Sequence, residues 1–251
     1  MKVRSATTTT NMFAFTDHAQ CASVSTLLRG KLCEQFKARP ARRVPPGGFV
    51  YLKGAPARSV FFVRSGLIKT SAVSEAGEEL ILQVFKPGEV LGELCLCTGE
   101  RREQAVALDA SELVEIPLPD LLSRLQRDPQ AMSDFVVAVC GHLADTYEKL
   151  WSARFDSTLT RLVRALIKLA AELGEPSDKG VTIPHYIKQE ELAHLVGARR
   201  EVVSSLLNRL REKGLISYPR KGRMKMDPTR LATYLSSLSR TGPRRQAGRG
   251  K

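Results

Sequence analysis

The residues best equipped for chemistry lie between positions 188 and 226. Arg200, Glu201, Ser204, Ser205 and Asn208 recur at helical spacing and share a face opposite the apolar stripe Val203, Leu206, Leu207 and Leu210. An arginine there can donate two hydrogen bonds to guanine O6 and N7. A glutamate can accept from cytosine N4, and serines are less selective readers. Arg200, Glu201, Ser204 and Ser205 are therefore the expected base-reading set. Gln189, Arg199, Arg209, Arg220, Lys221 and Arg223 surround them and suit phosphate contacts, which add affinity without sequence information.

Other chemistry is thin. His18, His142, His185 and His194 stand at no spacing with Cys, Asp or Glu that makes a zinc site or a triad. There is no glycine-rich phosphate loop. No catalytic or metal-binding residue is assigned, and an enzyme is not expected. Cys95 and Cys97 flank Leu96; on a strand both thiols face one side, as small buried hydrophobes or as a thiol or haem switch. Five cysteines, odd in number and scattered through 251 residues, form no disulfide framework, which points to the cytoplasm. No apolar run approaches the roughly 18 residues of a membrane helix, and the first residues lack the apolar segment of a signal peptide.

Charge divides the chain in two. Residues 1–156 carry 19 basic and 18 acidic side chains, and residues 157–251 carry 20 and 8. A near-neutral module precedes one of net charge +12, so double-stranded DNA is the expected partner of the second.

The elements that must position these residues follow from punctuation. Residues 1–25 are polar, without periodicity, and read as a tail. Within residues 26–128, strand-like runs Phe49–Leu52, Ser59–Val63, Leu67–Val73 and Leu80–Phe85 alternate with Gly and Pro turns, marking an antiparallel sandwich. A long helix fits residues 129–155. On it Val136, Cys140, Leu143, Tyr147 and Leu150 alternate at spacings of four and three. That is a seam for a parallel partner helix in a homodimer, or a stripe that packs on its own domain. Residues 156–239 read as a winged helix-turn-helix. In it a helix from Lys188 to Val196 is followed by a Gly197 turn, a helix from Ala198 and a β-hairpin with a basic tip. Asp156-Ser157 is the expected hinge, and residues 240–251 are a basic tail.

From about Arg42 to Met226 the chain resembles the family of the cyclic-AMP receptor protein and the fumarate–nitrate reduction regulator. The resemblance rests on Gly77-Glu78-Glu79-Leu80-Ile81-Leu82 and Pro87-Gly88-Glu89-Val90-Leu91-Gly92-Glu93-Leu94. It also rests on Gln189-Glu190-Glu191-Leu192-Ala193, Val196-Gly197, Arg200-Glu201 and Val203. It implies an α+β protein: an N-terminal cyclic-nucleotide-binding-like β jelly roll, a long dimerisation helix and a C-terminal winged helix-turn-helix. It implies a dimeric transcription regulator binding a palindromic operator, with RNA polymerase as a further partner. An alternative is a cyclic-nucleotide-binding regulatory protein that acts through protein partners.

The effector site is implied only in part. Gly92, Glu93 and Leu94 correspond to the segment that sets a carboxylate on the ribose. Arg101 or Arg102 corresponds to the phosphate-binding arginine, but the following Ser or Thr is replaced by Arg102 or Glu103. Thr146 falls where the family offers a hydroxyl to adenine, and Tyr147 replaces its neighbouring serine. The effector is thus left open, with a cyclic nucleotide one candidate. An iron–sulfur cluster is not expected, because only Cys21 and Cys33 lie near the N-terminus. Ser205 also replaces an arginine common in the family's reading helix.

Overall fold

Short β-runs cut by glycine and proline turns close into two facing sheets. The computed structural model of the chain describes residues 39–177, 180–218 and 223–240. Its first strands are β1 (Arg42–Val44), β2 (Phe49–Tyr51), β3 (Ser59–Ser65), β4 (Ile68–Val73), β5 (Glu79–Phe85), β6 (Val90–Leu91), β7 (Gln104–Ala107) and β8 (Ser111–Pro117). They pair antiparallel in the orders β1-β8-β3-β6 and β2-β7-β4-β5.

β3 explains why the sequence there is apolar without alternation. Phe61 and Val63 point between the sheets, into a core with Val44, Ile68, Phe85, Leu91 and Leu113. Val60 and Phe62 point the other way, into a second core with Val114, Ile116, Leu121, Leu125 and Phe135. A strand buried on both faces has no polar side to show.

The second core is closed by α1 (Leu118–Arg127) and the start of α2 (Pro129–Phe155). Asp128 caps α2, its side chain accepting from the Gln130 and Ala131 amides, and Pro129 occupies the first turn, where no amide donor is needed. Asp156 ends it, and Ser157 caps α3 (Thr158–Leu173) by accepting from the Thr160 amide.

The remaining elements are β9 (Glu175–Ser177), β10 (Gly180–Thr182), α4 (Gln189–Val196), α5 (Arg200–Glu212), β11 (Ile216–Ser217), β12 (Lys225–Met226) and α6 (Pro228–Arg240). Their strands form a sheet in the order β11-β12-β10-β9. Leu162, Leu166, Ile183, Leu192, Val203, Leu210 and Leu231 make one separate core.

Two differences from the sequence reading matter. The expected hairpin is half of a four-stranded sheet. Cys95 and Cys97 are not on a strand: Gly92, at φ +85°, starts a 3₁₀ turn over Glu93–Leu96. The turn buries Cys95 and leaves Cys97 exposed, so the two thiols do not share a face. Residues 1–25, Cys21, Cys33, Arg220, Lys221 and residues 241–251 lie outside the described residues.

Candidate nucleic-acid interface and sensor pocket

α4 begins with the Lys188 amide donating to the Glu191 carboxylate at 2.9 Å, and ends at Gly197 with φ +60°. A β-carbon at Gly197 would meet Leu80 only at ordinary contact distance, 3.6 Å, so the glycine is required by backbone conformation and not by space. That turn reverses the chain into α5, whose inner face buries Val203, Leu207 and Leu210.

The outer face then converges as the residue types suggested. Arg200, Glu201, Ser204, Ser205 and Arg209 line one concave surface with Gln189 of α4. Asn208, placed on this face from sequence but given no role, and Glu212, not named there, complete it. Arg200, Glu201, Ser205 and Arg209 are exposed. Arg199, at the N-cap of α5, and Arg223, beside β12, are also exposed but stand outside that concavity.

In the jelly roll, Gly92, Glu93 and Arg101 come together and the other expected pocket residues do not. Leu94, Arg102, Thr146 and Tyr147 are exposed, and Thr146 spends its hydroxyl on the His142 carbonyl at 2.8 Å. Arg101 is the inward arginine of the pair. Its Nη1 donates to Gly92 O at 3.1 Å and its Nη2 to Ser59 O at 2.6 Å. A β-carbon at Gly92 would stand 2.6 Å from Arg101 Nη1, so that glycine is kept by close approach as well as by φ.

Glu103, also buried, accepts from the Tyr51 hydroxyl at 2.9 Å. Burial, with the Glu103 charge beside it, pushes the Tyr51 phenol far above its ordinary range. Arg101 Nε and Glu103 Oε2 are buried without a hydrogen-bond partner.

Glu93 meets His142 of α2, Oε1 to Nδ1 at 3.2 Å, and the imidazole stands edge-on to Phe85. Burial alone would lower the His142 pKa. The hydrogen bond and charge of Glu93, with Glu89 and Asp145 behind it, outweigh burial and hold it above 6.5. Tyr51 and His142 carry no family motif, and Glu103 was seen in the sequence only as a substitute for a Ser or Thr; the folded sheet and α2 bring all three to Arg101 and Glu93.

Along α2, Ala131, Phe135 and Ala138 face the core. Val136, Cys140, Leu143, Tyr147 and Leu150 are exposed, and Val139, Trp151 and Phe155 extend the same apolar surface. At the joint with α3, Asp156 accepts from Ser152 Oγ at 2.7 Å and forms an ion pair with Arg164, Nε to Oδ2 at 3.1 Å. His194 faces Glu79 of β5 across the domain boundary at 3.0 Å. No described helix is long and apolar enough to cross a membrane.

Residues 41–128 match the cyclic nucleotide-binding domain model, and residues 160–234 match the Crp-like helix-turn-helix domain model. Among curated proteins, the chain is 30% identical over 175 residues to a global nitrogen regulator of Nostoc sp., covering 68% of this chain and 78% of that protein. It is 29% identical over 176 residues to the cyclic AMP receptor protein of Thermus thermophilus, covering 70% and 78%. Among solved structures, the c-di-GMP-responsive global regulator CLP of Xanthomonas campestris superposes with a TM-score of 0.67 at 27% identity. That superposition covers 78% of this chain and 97% of the other. Matched at both ends, with the reading helix and the jelly roll in the same order, the chain belongs to the CRP/FNR family of transcription regulators.

Proposed function

We propose that this regulator is a cytoplasmic homodimer that presents two copies of α5 to a palindromic operator. Arg200, Glu201, Ser204 and Ser205 read bases, and Gln189, Arg199, Arg209, Arg220, Lys221 and Arg223 hold phosphates. The observation that carries this reading is the concave surface on which Gln189, Arg200, Glu201, Ser204, Ser205 and Arg209 converge.

Dimerisation runs through the exposed seam of α2, where Val136, Leu143 and Leu150 lack cover from their own protomer. A dimer of this kind sets its reading helices roughly 34 Å apart, one turn of duplex. RNA polymerase is the further partner of the bound dimer, and no catalytic step is assigned to the chain. Selection of duplexes from a random pool, followed by gel shift, tests the reading. A palindromic site should emerge, with affinity falling steeply as salt rises; recovery of no preferred site would overturn it.

The sensor's input is an effector other than a cyclic nucleotide held in the family's manner. Both terminal nitrogens of Arg101 are already bound to backbone carbonyls, and a cyclic phosphate brought beside it would meet the buried Glu103. Glu93, which would serve the ribose, is engaged with His142.

A further inference from the structure

Three histidines lie among the described residues, and each faces a carboxylate carried by the jelly roll. His142 of α2 is 3.2 Å from Glu93 of the pocket turn. His185, in the loop before α4, is 2.7 Å from Asp109 of the β7–β8 turn. His194 of α4 is 3.0 Å from Glu79 of β5. The latter two join the DNA-binding module directly to the sensor; the first joins the sensor pocket to the helix between them.

We propose that these three pairs form a pH-sensitive clasp, closed when the imidazoles are protonated, that fixes the DNA-binding module against the jelly roll. The geometry makes the charge matter. His194 Nδ1 approaches Glu79 without the alignment of a hydrogen bond, so that contact is Coulombic and weakens when the ring is neutral. All three imidazoles are partly buried, with a quarter or so of each side chain exposed, so solvent screens the pairs less than it would at the surface.

The surrounding groups hold Glu79 and Asp109 low, while the Lys69 ammonium competes with His194 for Glu79. Lys69 of β4 shares Glu79 with His194 at 2.9 Å, and with Ser71 and His194 it outweighs burial to hold Glu79 below its ordinary range. α4 adds Glu190 and Glu191 one turn from His194, and Arg161 of α3 is occupied by the Val196 and Gly197 carbonyls. Asp109 is held low by the hydrogen bond from His185. His142 faces Glu93, Glu89 and Asp145.

The closed clasp leaves the reading surface free. Arg200, Glu201 and Ser205 are exposed while α4 rests on β5, and no histidine lines the concavity. Fixing the module therefore pre-organises the pair of reading helices for a site of set spacing.

Small-angle scattering of the full chain at pH 6 and pH 8, paired with gel shifts on the selected duplex, tests the clasp. The radius of gyration should rise at pH 8 and affinity should fall several-fold. A triple H142Q/H185Q/H194Q variant should lose both responses. Asp109→Asn, which keeps an acceptor for the Ala110 amide, serves if the triple variant is unfolded, and should shrink the response. A wild-type radius that does not change with pH, or variants that follow the wild-type curve, would overturn the proposal. The clasp rests on the assigned DNA-binding face only for its second readout. If no duplex binds at any pH, the reading surface is misassigned, while scattering still decides the clasp.

Discussion

The guanidinium carbon of Arg101 lies 4.2 Å from the centre of the Tyr51 ring, a buried cation on an aromatic face, with Phe61 at 5.4 Å on the same cation. Together with its bonds to Ser59 and Gly92, this makes Arg101 a structural tie between β3 and the pocket turn. Arg101→Ala removes that tie and strands two carbonyls, at a cost of about 2–4 kcal/mol. Thermal unfolding should show a clear loss, and Arg101→Lys should not restore it, since an ammonium cannot reproduce the planar fork. Calorimetric titration of the wild-type chain with cyclic AMP and cyclic GMP should give no binding heat.

Leu143 is 49% exposed in the protomer and sits mid-seam on α2. Leu143→Asp places one charge from each protomer against the other in the dimer. Sedimentation should show a monomer with normal helix content and loss of operator binding. A variant that remains dimeric would show that the seam lies elsewhere.

Arg200→Ala should cost roughly 1–3 kcal/mol on the preferred duplex and relax choice at one base pair of each half-site. Uniform weakening across all duplexes would make Arg200 a phosphate contact. Competition gel shifts with single-position variants of the site separate the two outcomes.

Gly197→Ala tests the turn between α4 and α5. With room for a methyl but φ at +60°, the strain should amount to about 1–2 kcal/mol, read by denaturant midpoint. The fold should survive and operator affinity should fall, because the turn sets the angle between α4 and α5.

The raised pKa of His142 has a definite sign. Its contribution to stability is full below 6.5 and disappears as pH rises through the elevated folded value. The difference in urea midpoint between wild type and His142→Gln should thus be wider at pH 6 than at pH 8.5.

Much of this was readable from residue order, for identifiable reasons. α2 spans Pro129–Phe155 as expected because Asp128-Pro129 and Asp156-Ser157 are strong local signals at its ends. The polar face of α5, proposed to read bases, was legible as a surface because the helix is amphipathic and Arg200, Glu201 and Ser205 are exposed. The thiols of Cys95 and Cys97 were misplaced because an apolar alternation imitates a strand, whereas the positive φ of Gly92 directs a 3₁₀ turn. Short strands such as β6 and β7 owe their existence to partners distant in sequence, not to local pattern. The choice between Arg101 and Arg102 was undecidable locally; Tyr51 and Ser59, more than forty residues away, decide it.

β5 is the outermost strand of its sheet, and α4 lies against it. A jelly roll severed at Asp156 would bare that border, with Leu80 and Leu82 on it, as a template for adding foreign strands. Chimeras that graft another winged helix onto this jelly roll should therefore aggregate unless the incoming first helix carries a matching shield.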